Sequence, residues 1–307
     1  MARGKRLLDS QRHYQRIFCW ITLLTGVSNL EYWVPWFHER TDGDDVKLIA
    51  QTAESLGFTG VALSDHIALP KEQVARHPVL KQPYDPLQPN IEPFTVAATM
   101  AAVTKGLRFM TYSLVAGMRD PFSIARQSAS MAGLTSNRFT LGITPGWLTD
   151  EMQLLGHDPK TRGKRFDEAL QVIRGLWEND LFSYEGEYYN FRDVAVCPRP
   201  AVAPQIMIGG NSPKSYERAR HFDGWIGMTM SVAEVTEVAN TVRQGGAGKK
   251  IYMIPPEPLS DVYLQQLQAA GVDGLVYMLW MPGAPGAASA EAKCELMQNF
   301  ARRWIKP

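Results

Sequence analysis

Short apolar runs alternate with helix-period stretches along this chain, and the alternation restricts the folds available to it. Turn residues follow each short run, and a stretch with apolar residues three and four positions apart comes next. The predicted strands are residues 17–23, 61–64, 107–113, 139–143, 205–208, 225–227, 250–254 and 274–279. Eight strands separated by helices predict an α/β fold, a parallel (β/α)8 TIM barrel.

The predicted helices occupy the intervals between these strands. They cover residues 44–56, 94–104, 123–132, 166–177, a helix beginning at Ser212-Pro213, and 232–243, 261–270 and 290–305. A doubly wound open sheet seldom contains eight such units. No Gly-x-Gly-x-x-Gly turn follows the first predicted strand, which also disfavours a dinucleotide-binding sheet.

The length of 307 residues accommodates one barrel with additions, because a bare barrel takes about 250 residues. We predict an N-terminal extension over residues 1–16 and a single barrel domain over 17–307. The surplus lies in two insertions, residues 68–90 after the second strand and 178–204 before the fifth. The second insertion has the aromatic pattern of a hairpin centred on Gly186. We expect both to lie near the C-terminal face of the barrel, as lids over a ligand.

Charge and cysteine content narrow the class of partner. Thirty-two basic and 31 acidic residues give a formal net charge of +1, so bulk electrostatics favour neither nucleic acid nor an anionic membrane. No run reaches the ~18 apolar residues of a membrane span. The three cysteines fit neither a disulfide framework nor a zinc site, which predicts a cytoplasmic protein. We expect a small-molecule substrate.

Polar and aromatic residues at the predicted strand ends are the candidates for chemistry, because the loops after the strands converge in a barrel. These candidates are Asp65, His66, Tyr112, Ser113, Thr144, Gly146, Trp147, Gly209, Gly210, Asn211, Ser212 and Trp280. The six histidines show no metal-ligand spacing, and we predict no metal site. His66 is the acid/base candidate, since an imidazole titrates near neutral pH. Asp65 is the second predicted catalytic residue. It would point to the other side of its strand, where it binds a cofactor or orients the loop.

The run from Gly209 to Pro213 closes one strand and opens a helix. Its free N–H groups and the positive end of the helix dipole are suited to a phosphate, although a plain capped turn explains the same residues. Arg162 is a possible partner for the phosphate. Trp20 and Trp280 would line an apolar substrate pocket.

These segments together resemble the luciferase-like monooxygenase superfamily. The resemblance rests on an ordered set of motifs: Ser64-Asp65-His66, residues 83–86, residues 138–147, residues 165–170 with Leu176-Trp177, Ile208-Gly209-Gly210-Asn211-Ser212 and Asp223-Gly224-Trp225. The resemblance covers roughly residues 17–280, nearly the whole predicted barrel. Within the superfamily the chain is most similar to the oxidoreductases that depend on the deazaflavin coenzyme F420.

The resemblance implies where a cofactor binds. A flavin-like ring would lie across the barrel mouth, with its phosphate arm at Gly209-Gly210-Asn211 and its ring edge near Asp65 and His66. Members also carry a non-prolyl cis peptide at the end of the third strand, and the matching pair here is Tyr112-Ser113. Tyr112 departs from the small residue that is usual at this position. The resemblance also implies a homodimer.

The functional expectation is an oxidoreductase that transfers hydride between F420 and a small apolar organic substrate. Sugar-phosphate dehydrogenases of the family have a glutamate where this chain has Trp147, which argues against a sugar phosphate. One alternative is a reduced-FMN monooxygenase, in which the pocket would shelter a flavin hydroperoxide. The other is a non-catalytic flavin-binding barrel. Glu151 is either a site carboxylate or a charge at a helix start, and we favour the second interpretation.

Overall fold

The protein is described by a computed structural model that covers residues 30–37, 39, 42–77, 79, 81–281 and 289–305. Its strands are β1 (Glu31–Trp36), β2 (Gly60–Leu63), β3 (Arg108–Thr111), β4 (Leu114–Val115), β5 (Phe139–Thr144), β6 (Phe182–Glu185), β7 (Asn190–Val194), β8 (Gln205–Gly209), β9 (Gly224–Gly227), β10 (Lys250–Met253) and β11 (Gly274–Val276). The helices are α1 (Gly43–Leu56), α2 (Pro93–Ala101), α3 (Pro121–Leu134), α4 (Thr149–Leu154), α5 (Arg162–Glu178), α6 (Pro213–Ala219), α7 (Val232–Arg243), α8 (Asp261–Ala269) and α9 (Ala290–Trp304).

Eight parallel strands close into a barrel. The sheet runs β1, β2, β3, β5, β8, β9, β10, β11, and β11 pairs with β1 to close the ring. β4 continues β3 after a two-residue interruption and also pairs with β5. The predicted (β/α)8 barrel is therefore confirmed, and seven of its strands and its main helices lie within a few residues of their predicted positions.

The first barrel strand lies elsewhere than predicted. β1 is Glu31–Trp36, whose residues pair with both β2 and β11. The predicted strand at 17–23 lies outside the described residues, as do Trp20 and the extension 1–16. β1 was missed because it contains Glu31 and Pro35, and proline inside a run argues against a strand.

Capping side chains explain where several helices begin. The Asp42 carboxylate accepts hydrogen bonds from the backbone N–H groups of Asp44 and Asp45 at the start of α1, and Gly57 ends that helix with a φ of 84°. Ser231 and Glu234 form a reciprocal capping box at the start of α7. These local signals are readable from sequence, which is why the predicted helix positions agree.

The β6–β7 hairpin belongs to the outer helix layer. The Phe191 ring packs on Phe122 of α3 at 5.0 Å between centroids. The Glu168 carboxylate on α5 accepts hydrogen bonds from the N–H groups of residues 187–189 at 2.8–3.1 Å. These contacts attach the insertion to two helices and do not support its predicted role as a lid, which stays a prediction. It follows a helix, not a barrel strand.

Two apolar layers form the core. The larger one lies between the strands and the surrounding helices. The smaller one fills the barrel interior and consists of Trp33, Ala62, Met110, Tyr112, Met207, Ile226, Tyr252, Ile254 and Val276. At the N-terminal end of the barrel, Glu31 contacts Arg108 at 3.1 Å, Lys250 at 3.5 Å and the Tyr252 hydroxyl at 2.9 Å. The other end of the barrel carries the candidate site.

Candidate functional site at the C-terminal end of the barrel

Three of the predicted cofactor-binding residues meet where β3, β5 and β8 end. A Cβ atom added to Gly209 would lie 2.5 Å from the Ser113 Oγ and 3.3 Å from the Thr144 Cβ. Glycine at position 209 is therefore required for the strand ends to approach this closely. The Tyr112-Ser113 peptide bond is cis, as the resemblance implied.

The Tyr112 side chain crosses the barrel mouth. Its hydroxyl donates a hydrogen bond to the Gly227 carbonyl at the end of β9, nearly opposite β3 in the ring of strands. Its ring stacks on Phe37 with the centroids 6.0 Å apart. Burial raises the pKa of Tyr112, so its hydroxyl stays protonated as a donor. The half-buried residues Phe37, Met228 and Met278 pack on the same cluster and give the mouth an apolar floor.

His66 and Glu151 form a hydrogen-bonded pair beside this mouth. The His66 Nδ1 atom lies 2.7 Å from the Glu151 Oε2 atom. The Glu151 side chain is 0% exposed and the His66 side chain 8%. The other carboxylate oxygen of Glu151, Oε1, accepts hydrogen bonds from the N–H groups of Ile67 and Ala68 at 2.7 and 2.9 Å. These contacts give both oxygens of Glu151 hydrogen-bonding partners, which a buried carboxylate requires.

Glu151 is thus a buried carboxylate in contact with His66, which its interpretation as a helix-start charge did not include, and a role in the site stays a prediction. The residue does lie in the first turn of α4, which is the signal that favoured the other view. Its partner is 85 positions away in sequence, so local pattern could not reveal it.

The neighbouring residue Asp150 holds a second stretch of the same loop. Its two carboxylate oxygens accept hydrogen bonds from the N–H groups of Val74 and Ala75 at 2.8 and 2.9 Å. Burial is the largest single influence on the pKa of Asp150 and raises it, but these hydrogen bonds and the nearby Arg76 charge together hold the pKa below its usual value. The loop between β2 and α2 is therefore attached to α4 at two points, and only one of them includes His66.

Four rings form an aromatic cluster above the pair, made of His66, His77, Tyr84 and Trp147. Trp147 lies 5.1 Å from His77, 5.5 Å from Tyr84 and 6.2 Å from His66 between ring centroids. Burial lowers the pKa of His77 to about 4, with help from the His66 and Lys81 charges. Burial also raises the pKa of Tyr84 to about 12. The cluster is therefore uncharged at His77 and Tyr84 near neutral pH, and it offers an apolar wall.

Asp65 has a structural position. Its fully buried carboxylate binds the Arg119 guanidinium through two contacts of 2.7 and 2.8 Å and accepts a hydrogen bond from the Val115 N–H at 2.8 Å. Burial raises the pKa of Asp65, and the Arg119 charge opposes that rise. These partners occupy both oxygens, so the geometry does not support the catalytic role predicted for Asp65. The residue ties the end of β2 to β4 and to the turn Ala116–Met118.

Several polar groups of the predicted phosphate-binding turn form hydrogen bonds within the protein. The Gly210 N–H donates to the Ile226 carbonyl at 3.3 Å, and the Gly210 carbonyl accepts from the Trp225 indole at 2.7 Å. Ser212 and Ser215 cap α6 reciprocally. The Asn211 side-chain oxygen accepts a hydrogen bond from the Met228 N–H at 3.1 Å. The capped-turn interpretation therefore accounts for these contacts without any ligand.

Three other predicted site residues have packing explanations. Gly146 has a φ of 91°, and an added Cβ would collide with Met152 and Val115. The Arg162 guanidinium donates to the Pro159 carbonyl at 2.7 Å. Trp280 is 6% exposed and donates its indole N–H to Glu39 at 2.6 Å, in a buried group with Lys293. Trp280 therefore packs into the core, and its predicted place in the pocket lining is not supported.

The described part of the chain contains neither a group of metal-ligating side chains nor a helix that could span a membrane. Within residues 30–281 and 289–305, apart from the few positions left out above, no three His, Cys, Asp or Glu side chains are grouped so that they could hold a metal ion. In the same residues no helix combines the length and the hydropathy that crossing a bilayer demands.

Known proteins are similar to this chain in sequence and in fold. The sequence model of the luciferase-like monooxygenase family matches residues 30–252. An uncharacterized protein of Mycobacterium tuberculosis is 33% identical over 268 residues, which cover 84% of this chain and 93% of that protein. The FMNH2-dependent dimethylsulfone monooxygenase of Pseudomonas fluorescens is 26% identical over 210 residues, covering 63% of this chain and 53% of that enzyme.

Solved structures agree on the fold. The monooxygenase RslO1 of Streptomyces bottropensis superposes with a TM-score of 0.70 at 18% identity, covering 90% of this chain and 99% of that one. An F420-dependent secondary alcohol dehydrogenase, solved with an F420–acetone adduct, has a TM-score of 0.65 at 15% identity and covers 81% and 92%. The barrel and the family match define a luciferase-like oxidoreductase. The chain belongs to the luciferase-like monooxygenase family.

Proposed function

We propose that the protein transfers hydride between coenzyme F420 and a small apolar organic substrate. The observation that carries the proposal is the buried His66–Glu151 pair beside an apolar barrel mouth. Hydride addition to a carbonyl carbon leaves an oxygen that needs one proton, and an imidazole held by a carboxylate is suited to supply it. The F420-dependent alcohol dehydrogenase with the same fold supports this chemistry.

The residues present fit a flat ring system. Phe37, Met228 and Met278 give an apolar floor, and the cis peptide at Tyr112-Ser113 adjoins the close approach at Gly209. Ser113, Thr144 and Gly209 would hold the ring, and residues 210–212 with Arg162 would receive the phosphate arm. F420, when bound, supplies or accepts the hydride.

The side chains of this protein account for the other steps. The Nδ1 atom of His66 is engaged by Glu151, so a proton would move to or from the substrate oxygen at Nε2. Trp147 and Tyr84 would bind the substrate through apolar contacts. The apolar floor and wall would exclude water, which strengthens the polar contacts within the site.

A reduced-FMN monooxygenase is the second candidate. It is favoured by the similarity to the FMNH2-dependent dimethylsulfone monooxygenase, which reaches 26% identity. The same floor and strand ends suit FMN, since both cofactors carry a tricyclic ring and a phosphate. A non-catalytic flavin-binding barrel would keep the floor and have no use for the His66–Glu151 pair.

A side-by-side titration tests the choice of cofactor. Purified protein is titrated with F420 and with FMN, and binding is followed by quenching of cofactor fluorescence. We expect F420 to bind at least tenfold more tightly than FMN. Gly209→Val should weaken the binding of either cofactor, because the added side chain would enter the space beside Ser113. Gly133→Ala, where an added Cβ meets nothing within 4 Å, is the matched control. Tight FMN binding without F420 binding would overturn the proposal.

We also infer a cytoplasmic homodimer, because the family resemblance implies dimers and the cysteine content suits a reducing compartment. Light scattering coupled to size-exclusion chromatography should give about twice the chain mass of 34.3 kDa. A monomer over the whole concentration range would contradict this inference.

A further inference from the structure

We propose that Glu151 is a positioning residue that fixes the protonated ring atom of His66, and that Asp150 holds the same loop without this role. The proposal rests on the function proposed above and assigns a task to a carboxylate outside the set of predicted site residues. It is carried by the different partners of two adjacent acids on one short helix.

The contacts of Glu151 determine which tautomer of His66 is stable. Its Oε1 atom accepts two backbone hydrogen bonds, and its Oε2 atom lies 2.7 Å from Nδ1 of the ring. An ionised carboxylate is an acceptor only, so Nδ1 must carry the hydrogen. With the proton fixed on Nδ1, Nε2 is the atom through which the ring exchanges protons.

Burial makes this preference strong. The Glu151 side chain is 0% exposed, and water does not compete for its oxygens. Turning the ring or moving its proton to Nε2 would leave the Oε2 atom without a donor inside the protein, which is costly. The interaction resembles the general arrangement in which a carboxylate orients an imidazole by binding its second nitrogen.

Asp150 provides the structural comparison. Each acid binds two backbone N–H groups of the loop between β2 and α2, at 2.7–2.9 Å in all four cases. Only Glu151 contacts an imidazole in addition. Loss of either acid should therefore loosen the loop to a similar extent, while only loss of Glu151 should affect the tautomer of His66.

Other ionisable groups near His66 must be considered. Asp65 and His77 interact electrostatically with the ring, and Tyr84 and Trp147 pack on it. Asp65 is paired with Arg119, and His77 is neutral near pH 7. The Glu151 carboxylate contacts the Nδ1 atom of the ring at hydrogen-bonding distance.

The test compares Glu151→Gln with Asp150→Asn in cofactor-free protein. Nitrogen-15 NMR of the histidine rings, with His66 assigned from the His66→Asn spectrum, reports which ring nitrogen is protonated. The wild type and Asp150→Asn should show His66 protonated at Nδ1 in its neutral form. Glu151→Gln should show a mixture of tautomers, because an amide can either donate to or accept from the ring. The melting temperature should fall by a similar amount in both variants.

Turnover provides the second measurement. Glu151→Gln should lower kcat with F420 by tenfold or more with KM within about twofold, and Asp150→Asn should change kcat by less than about twofold. Identical ring spectra and equal turnover in the two variants would overturn the proposal. So would a wild-type ring protonated at Nε2, a result that does not depend on any variant folding. The expected spectra without any F420 turnover would support the positioning of His66 and overturn the proposed function instead.

Discussion

At the N-terminal end of the barrel, half-buried Glu31 contacts permanent cations, whereas at the C-terminal end the buried Glu151 contacts an imidazole. The Glu31 side chain is 21% exposed and contacts Arg108 and Lys250. The Glu151 side chain is 0% exposed and contacts His66. Arg and Lys keep their charge at all physiological pH values, whereas an imidazole gains and loses a proton. Under the proposed function, the Glu31 contacts serve stability and the His66–Glu151 pair serves proton transfer.

The largest expected effect comes from His66→Asn. The asparagine amide can still donate to Glu151, so the loop should stay attached and the melting temperature should change little. Turnover should fall by about 10²- to 10⁴-fold, the usual contribution of a general acid or base. The measurement is steady-state kinetics with reduced F420 and a panel of apolar carbonyl compounds. Turnover within twofold of the wild type, with cofactor binding intact, would show that His66 does not carry the proposed proton transfer.

Asp65→Asn tests whether a carboxylate at the functional end serves structure alone. The change leaves the largely buried Arg119 guanidinium without its charged partner, which should lower the free energy of unfolding by about 3–5 kcal/mol. Chemical denaturation measures this loss. For the fraction that remains folded, kcat should be within about threefold of the wild type. A kcat loss as large as that of His66→Asn, in stable protein, would restore the catalytic role first predicted for Asp65.

His77 should make stability depend on pH. Its pKa is about 4 in the folded protein and near 6.5 in the unfolded chain, so the unfolded state binds more protons between these values. The free energy of unfolding should therefore be highest above pH 6.5 and fall by at most about 3 kcal/mol as the pH drops to 4.

His77→Asn removes this titration, and its side-chain oxygen can still accept the hydrogen bond that the Val79 N–H donates to Nδ1. Denaturation series at several pH values should show a flatter profile for this variant. His221→Asn, at an exposed position, is the control and should keep the wild-type slope. Equal slopes in the wild type and His77→Asn would show that the burial of His77 does not suppress its protonation.

The smallest effect is expected at the other end of the barrel. Glu31→Gln weakens contacts with Arg108 and Lys250, which are partly exposed to solvent, and with the hydroxyl of the buried Tyr252. Such pairs contribute about 1 kcal/mol or less, so the denaturation midpoint should move slightly and kcat should not change. A kcat decrease of tenfold would show that the two ends of the barrel are coupled.

Periodicity was sufficient to predict most of the fold. The apolar spacing of α5 and the capping residues of α7 are local signals, and both helices lie where the sequence places them. β1 was misplaced because Pro35 interrupts its pattern, while the barrel accepts it between two parallel partners. A local pattern does not predict a strand when the barrel accommodates a residue, here Pro35, that is unfavourable in strands.

The site was less predictable because its decisive contacts are long-range. His66 could be identified as a residue at a strand end, but its partner Glu151 lies on the helix after a different strand. Asp65, Gly146 and Trp280 also lie at predicted strand ends, but an ion pair, close packing and burial, respectively, account for them. Position at a strand end brings a residue to the correct face of the barrel, and its partners decide its role.

The dependence of turnover on oxygen distinguishes hydride transfer with F420 from oxygenation with reduced FMN. Wild-type protein is assayed with reduced F420 in the strict absence of oxygen, and with reduced FMN in its presence, against the same apolar substrates. We expect turnover with F420 that needs no oxygen and that His66→Asn lowers by about 10²- to 10⁴-fold. Turnover with FMN alone, and only when oxygen is present, would contradict it.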